Sequence, residues 1–292
     1  FSVSTGLSMA GSLADVDVGS DATATLGGTV TGGDVEVRAR LLTSDRGTNA
    51  SASSTASAGG LLVGASSTEA DARVTGDATA TYAGGTMTAG AVQIVAKTDL
   101  TLTADASASA GGLIGAGSAD AQTRAEVNTI ARVADGSTVI ADSLEITATG
   151  DDSQLLDVVT GSGGLVAGAA GAAESDTIAE TRAEVGDATV DLTGDGSGAL
   201  IIGAEHASYF SAEIDAVSGG LLAGAGAEVE HDVVSTVIAK IGANADVEGD
   251  YRIKVRQRHL YFNQRAHEKN VSKLADGDDA YAKIRAGASL VQ

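Results

Sequence analysis

The stretch 221–247, LLAGAGAEVEHDVVSTVIAKIGANADV, alternates without a break. Small or apolar side chains and one histidine take the odd positions: Leu221, Ala223, Ala225, Ala227, Val229, His231, Val233, Ser235, Val237, Ala239, Ile241, Ala243, Ala245 and Val247. Glu228, Glu230, Asp232, Lys240, Asn244 and Asp246 lie between them. Strict period two over such a run is extended chain with one face buried and the other wet. A helix would scatter the same residues around its circumference. A straight strand of this length exceeds the usual 3–10 residues, so the expectation is a chain that bends at intervals while keeping its faces. Long, one-sided β-structure predicts a rod, a shape suited to reach or assembly.

The alternation belongs to a repeat. Gly-Gly-Leu recurs at Gly59, Gly111, Gly163 and Gly219, at intervals of 52, 52 and 56 residues, with a degenerate copy at Thr5-Gly6-Leu7. After a glycine-rich loop, an apolar triplet recurs: Val35/Val37/Ala39, Val92/Ile94/Ala96, Leu144/Ile146/Ala148, Leu200/Ile202/Ala204 and Tyr251/Ile253/Val255. Units of this length predict a stacked array in which each unit covers its neighbour's face. Each unit has two turn zones, one at Gly-Gly-Leu and one near the glycines at 84–90. The fold class is therefore all-β, an elongated repeat architecture of β-solenoid type with corners at interruptions such as Thr98-Asp99. Stacked long antiparallel β-ribbons are the alternative.

Composition agrees with ladders. The chain of 292 residues holds 39 glycines and no proline, and only 3% of it is aromatic. Glycine serves turns, and absent proline leaves every ladder donor in place. A thin alanine–valine layer buries little area per residue, so stability rests on many repeated contacts. With no cysteine, disulfides and thiolate metal sites are excluded. No segment approaches the ~20 apolar residues of a membrane span.

Net charge is −21, unevenly spread. Residues 1–249 carry 9 Lys+Arg against 34 Asp+Glu, whereas residues 250–292 carry 9 against 5. An acidic body repels nucleic acid and anionic membrane. The organisation expected is an array of about five ~52-residue repeats over 1–256, then a divergent basic segment over 257–292 leading into a partial repeat. The chain starts and stops mid-unit, which predicts open sheet edges at both ends, and open edges invite strand pairing with another chain.

The Gly-Gly-Leu segments, the Ala-x-Ala alternation behind them and the recurring apolar triplet resemble the repeats of giant bacterial surface proteins, the leukotoxin-type and filamentous-haemagglutinin-like adhesins. The resemblance covers roughly residues 6–256. It implies export, an extracellular or cell-surface location and a β-rich stalk, and it carries no catalytic residues.

Among candidate sites, the run Tyr251–Arg258 places Arg252, Lys254, Arg256 and Arg258 on one face, roughly 6.6–6.8 Å apart. They are expected to contact an acidic strand of a neighbouring unit or subunit, against the plainer reading of a solvated stripe paired with its own chain, for example at Glu145. Asp191–Gly198 and Asp276–Asp279 are read as turns rather than calcium loops, since neither matches an EF-hand or a calcium β-roll. Of the four histidines, His206, His231, His259 and His267, His231 is read as a core residue, and His259 and His267 lie in the basic segment without metal-ligand spacing. The expectation is a non-enzymatic structural protein with no cofactor and no metal: a segment of a filament, stalk or sheath that pairs with itself. An adhesin module that binds a cell-surface glycan or receptor is the alternative.

Overall fold

In a computed structural model, the backbone is described for residues 2–4, 6–42, 48–192, 199–272, 279–280 and 289–290, and side chains for 6–42, 48–192, 199–249, 252–254 and 256. The described residues form two parallel sheets and no helix. The first sheet contains β1 (Ser2–Ser4), β4 (Val30–Thr31), β5 (Val35–Leu42), β6 (Ala50–Gly60), β8 (Gly85–Gly111), β10 (Ser137–Gly163), β12 (Thr189–Asp191), β13 (Ala199–Gly220), β15 (Asp246–Glu248) and β16 (Asp250–Ser272). The second contains β2 (Leu7–Gly19), β3 (Ala22–Leu26), β7 (Val63–Tyr82), β9 (Ile114–Val133), β11 (Val166–Val185), β14 (Leu222–Ile241), β17 (Asp279–Ala280) and β18 (Ser289–Leu290).

The chain shuttles between the sheets, and each circuit lays one tier on the last. Gly59 pairs with Gly111, Gly111 with Gly163 and Gly163 with Gly219, so the repeats stack in register. The apolar triplets stack likewise, Val35 on Val92, then Leu144, Leu200 and Tyr251. Every ladder is parallel, which gives the solenoid and rules out antiparallel ribbons. The longer interval of 56 arises between β12 and β13. Thr138 pairs with Thr189, but Leu144 pairs with Leu200, so extra residues interrupt the strand that is continuous in β10.

One expectation is corrected. Thr98-Asp99 is no corner: β8 runs through it for 27 residues, and Thr98 is fully buried with its Oγ1 2.7 Å from Thr129 Oγ1 in the facing sheet. A hydroxyl inside a thin core finds its partner across the layer, so nothing forces the chain out. The bend lies nearer the glycine turn. Met87 faces inward at an odd position and Val92 at an even one, and the ladder skips the pair Gly90–Asp142 between them. This irregularity, an extra residue on each of two adjacent strands, flips the parity of the strand. Beyond the bend each first-sheet strand, residues 92–111 in β8 for example, spans roughly 66 Å, while five tiers at ~4.8 Å stack to only about 24 Å. This part of the array is a flat slab that grows across its strands.

Gly-Gly-Leu has a steric reason. A Cβ on the second glycine would stand 2.8 Å from Gly6 O at Gly60, and 2.7 Å from Gly60 O at Gly112. Gly164 and Gly220 meet the same carbonyl of the tier below even more closely. The first glycine of the pair meets nothing within 4 Å at Gly111, Gly163 or Gly219. Gly112→Ala is therefore expected to cost about 1–3 kcal/mol, whereas Gly111→Ala should stay within about 0.5 kcal/mol. Paired urea melts of the two variants check this, and equal midpoints would refute the packing argument.

Candidate functional site: a sealed polar core and an exposed apolar ridge

The core between the sheets is mostly apolar, with a hydrogen-bonded polar cluster in the middle of the later tiers. In β10 the inward positions read Leu144, Ile146, Ala148, Gly150, Asp152, Gln154, Leu156, Val158. Alternation thus drives a carboxylate and an amide into the layer. Asp152 is 1% exposed. Its Oδ2 accepts from Ser208 Oγ at 2.9 Å and Thr177 Oγ1 at 3.0 Å. Its Oδ1 stands 3.2 Å from His206 Nε2, close enough for an ion pair but not aligned for a hydrogen bond. Gly150 makes room for that imidazole, since a Cβ there would lie 2.7 Å from His206 Nδ1.

Gln154 joins the two sheets. Its Oε1 accepts from Thr123 and Ser175, both at 2.6 Å, and its Nε2 donates to Thr177 Oγ1 at 2.6 Å and Asp176 O at 3.1 Å. His231 is buried as expected, 3.1 Å from Ser175 Oγ through Nδ1 and stacked on Phe210 with centroids 4.4 Å apart. Serine, histidine and aspartate meet here, but Ser208 donates to the carboxylate rather than to the imidazole, and all three are sealed from solvent. The arrangement orders a core and activates no nucleophile. No cluster of three or more His, Asp or Glu among the described residues is placed to hold a metal ion.

The two turn edges differ in chemistry. At the glycine edge, carboxylates and amides bridge tiers. Asp135 Oδ1 accepts from the Asp187 amide at 2.8 Å, and Asp187 in turn accepts from the Asn244 amide at 3.0 Å and from Asn244 Nδ2 at 2.9 Å. Those hydrogen bonds from Asn244 hold the Asp187 carboxyl below its ordinary value. Asp21, Asp34 and Asn49 cap amides of the next tier in the same way. Turn chemistry accounts for these Asp and Asn residues. Asp191 lies in β12, while 193–198 and 276–278 lie outside the described residues.

The Gly-Gly-Leu edge is apolar and exposed. Leu61, Leu113, Leu165 and Leu221 form one column up the stack, and Leu7, Ile114, Val166 and Leu222 a second beside it, each between 39% and 71% exposed. Met9 and Leu13 extend this surface along β2, which forms the end of the second sheet. Farther along the outer face of the second sheet the column chemistry turns acidic. Asp71, Asp120, Glu174 and Asp176 have carboxyls raised above their ordinary values, chiefly because burial removes water and then because neighbouring carboxylates repel. A shallow trough of about 520 Å³ lies there, lined by Ser67, Glu69, Ser118, Asp120, Ala170 and Gly226 among others, with no aromatic side chain on its wall.

Of the basic stripe, Arg252, Lys254 and Arg256 are exposed on β16, and the side chain of Arg258 lies outside the described residues. Lys254 Nζ stands 3.6 Å from Glu205 Oε2, and Arg256 reaches Glu205 Oε1 at 3.4 Å, so Glu205 rather than Glu145 is the partner within the chain. The ladder of β16 on β13 crosses position 257 unbroken and slips by one residue opposite Phe210–Ala212. His259 and His267 lie on this strand, with side chains outside the described residues. Sequence reasoning missed Asp152 and the ridge. The signals were an aspartate on the inward parity of β10 and a large leucine repeated in every glycine turn. No family model, no curated protein and no solved structure matches the chain.

Proposed function

We propose that this chain is a structural segment of an extracellular filament, stalk or sheath that lengthens by adding β-edge to β-edge along its stacking axis. The observation that carries the reading is the in-register parallel ladder, tier upon tier, ending in edge strands at β2 and β16 among the described residues. Such edges template further strands. The resemblance to adhesin repeats supports an extracellular setting.

Charge sorts the partner. Continuing the register of β16 onto a second copy's β5 would set Arg252 beside Glu36, but Lys254 beside Arg38 and Arg256 beside Arg40. Like charges facing across a ladder are unfavourable. The stripe Arg252, Lys254, Arg256 and Arg258 therefore fits a more acidic edge than β5, such as a tier of a longer array of this type. Surface pairs of this kind add only ~0–1 kcal/mol each, so they select register more than they bind.

Electron micrographs of the protein over a range of concentrations test the reading. Ribbons with a ~4.8 Å repeat across the strands are expected, and more of them when all four basic residues are changed to glutamate, since positions 254 and 256 would then face Arg38 and Arg40 with opposite charge. Monodisperse particles at every concentration would overturn the filament, and unchanged ribbons in the variant would remove the charge contribution alone.

A further inference from the structure

We infer that the Gly-Gly-Leu ridge is a lateral interface that seats a second copy of this chain, ridge against ridge, independently of growth at the β-edges. Its exposed side chains are leucine, isoleucine and valine in two columns. From their fractional exposures the ridge offers roughly 800 Å² per copy, which is what each side of a standard interface buries and more than the largest apolar patch of most monomers. The opposite edge of the slab, with Asp135, Asp187 and Asn244, offers nothing of the kind.

The repeat supplies the argument for the occupant. Leu61, Leu113, Leu165 and Leu221 recur once per tier, so the ridge is a comb with teeth ~4.8 Å apart. Another comb of the same pitch interlocks with it at every tier. A partner of different pitch falls out of step after one or two. Ridge on ridge is self-complementary, as a two-fold pair requires. The ridge is two residues wide, and the outer face behind it carries Glu174, Glu228 and Glu230, in a chain of net charge −21. That charge opposes docking on an anionic lipid surface. Between two copies the acidic faces begin about six residues, roughly 20 Å, from the contact, beyond the ~8 Å screening length at physiological salt. Repulsion between copies is therefore residual, and salt weakens it further.

Sedimentation of the whole chain at about 1–200 µM, in about 50 and about 500 mM salt, tests this. A dimer that tightens several-fold with added salt is expected. Leu113→Lys/Leu165→Lys should weaken it at least a hundredfold while leaving the far-ultraviolet dichroism unchanged. The fourfold glutamate variant of the basic stripe should leave the dimer intact, which separates this interface from edge growth. A monomer at every concentration and salt overturns the inference, as does a dimer that dissociates with salt or persists in the lysine variant. Binding of the monomer to neutral phosphatidylcholine vesicles in place of dimerisation overturns it too, since the occupant would then be lipid.

Discussion

Asp152→Ala is expected to destabilise the protein by about 2–5 kcal/mol, because two buried hydroxyls lose their acceptor and the layer gains a void. The carboxylate is the acceptor for Ser208 and Thr177 and lies against His206, all within a layer that water does not reach. Alanine leaves two buried hydroxyls without this acceptor and an imidazole beside a void. The tier below shows what an apolar solution looks like. Leu100 occupies the position under Asp152, and Ala125 the position under Thr177. Asp152→Leu should therefore fit sterically, yet still lose stability through the unsatisfied hydroxyls. Asp152→Leu combined with Thr177→Ala and Ser208→Ala should recover much of the loss. Denaturant midpoints in the order Asp152→Ala, Asp152→Leu, triple variant, wild type are the expected result. A loss under about 1 kcal/mol for Asp152→Ala would show that these groups do not act as a unit.

Why a repetitive array should carry such a cluster follows from its own monotony. The inward rows of β6, β8 and β9 are largely alanine and valine, so sliding one tier by two residues sets apolar on apolar at little cost. Sliding Asp152 and Gln154 away from Ser175, Thr177 and Thr123 would bury unpaired polar groups. The Asp135–Asp187–Asn244 ladder acts the same way at the turn edge, where backbone pairing is interrupted. Stability is spread along the slab, while register is pinned at a few polar points.

This division also explains what was readable from the residues. Period two and the Gly-Gly-Leu interval are dictated by pleat and stacking, so the two-faced strands and the pairing of Val92, Leu144 and Leu200 were legible in advance. The bend was misplaced because Thr98-Asp99 looks like a turn in one dimension, and only the facing Thr129 reveals why it stays extended. The true bend needs the parity of Met87 and Val92 to be compared across tiers. The direction of the ladder had no local signature, since alternation is the same in parallel and antiparallel sheets. The ridge was in plain sight as a leucine after each glycine pair, but a leucine in a turn declares its exposure only when its stacked neighbours are known.

Mild acid should stabilise this protein rather than unfold it. Asp71, Asp105, Asp120, Asp151, Asp157, Glu174 and Asp176 are all raised above their ordinary 3.8 or 4.5, first by burial on crowded ladders. Carboxylate neighbours then add repulsion, as Asp105 and Asp215 do at Asp157. A carboxyl raised on folding binds its proton more tightly in the native state. Its contribution is thus most favourable below the unfolded value and is lost as pH rises through the folded one. Asp187 has the opposite sign, but its stabilisation is lost only as pH falls through a folded value below 3.8, outside the range tested. Melting temperature should therefore climb as pH is lowered from neutrality toward the ordinary values of these carboxyls, the isoelectric point being about 4.3. Salt at the upper pH should reproduce only the repulsive part of the gain, because screening weakens carboxylate repulsion but does not rehydrate a buried group. A melting temperature that falls steadily over that interval would mean the outer ladders are solvated and relaxed, and that the acidic face carries no electrostatic strain.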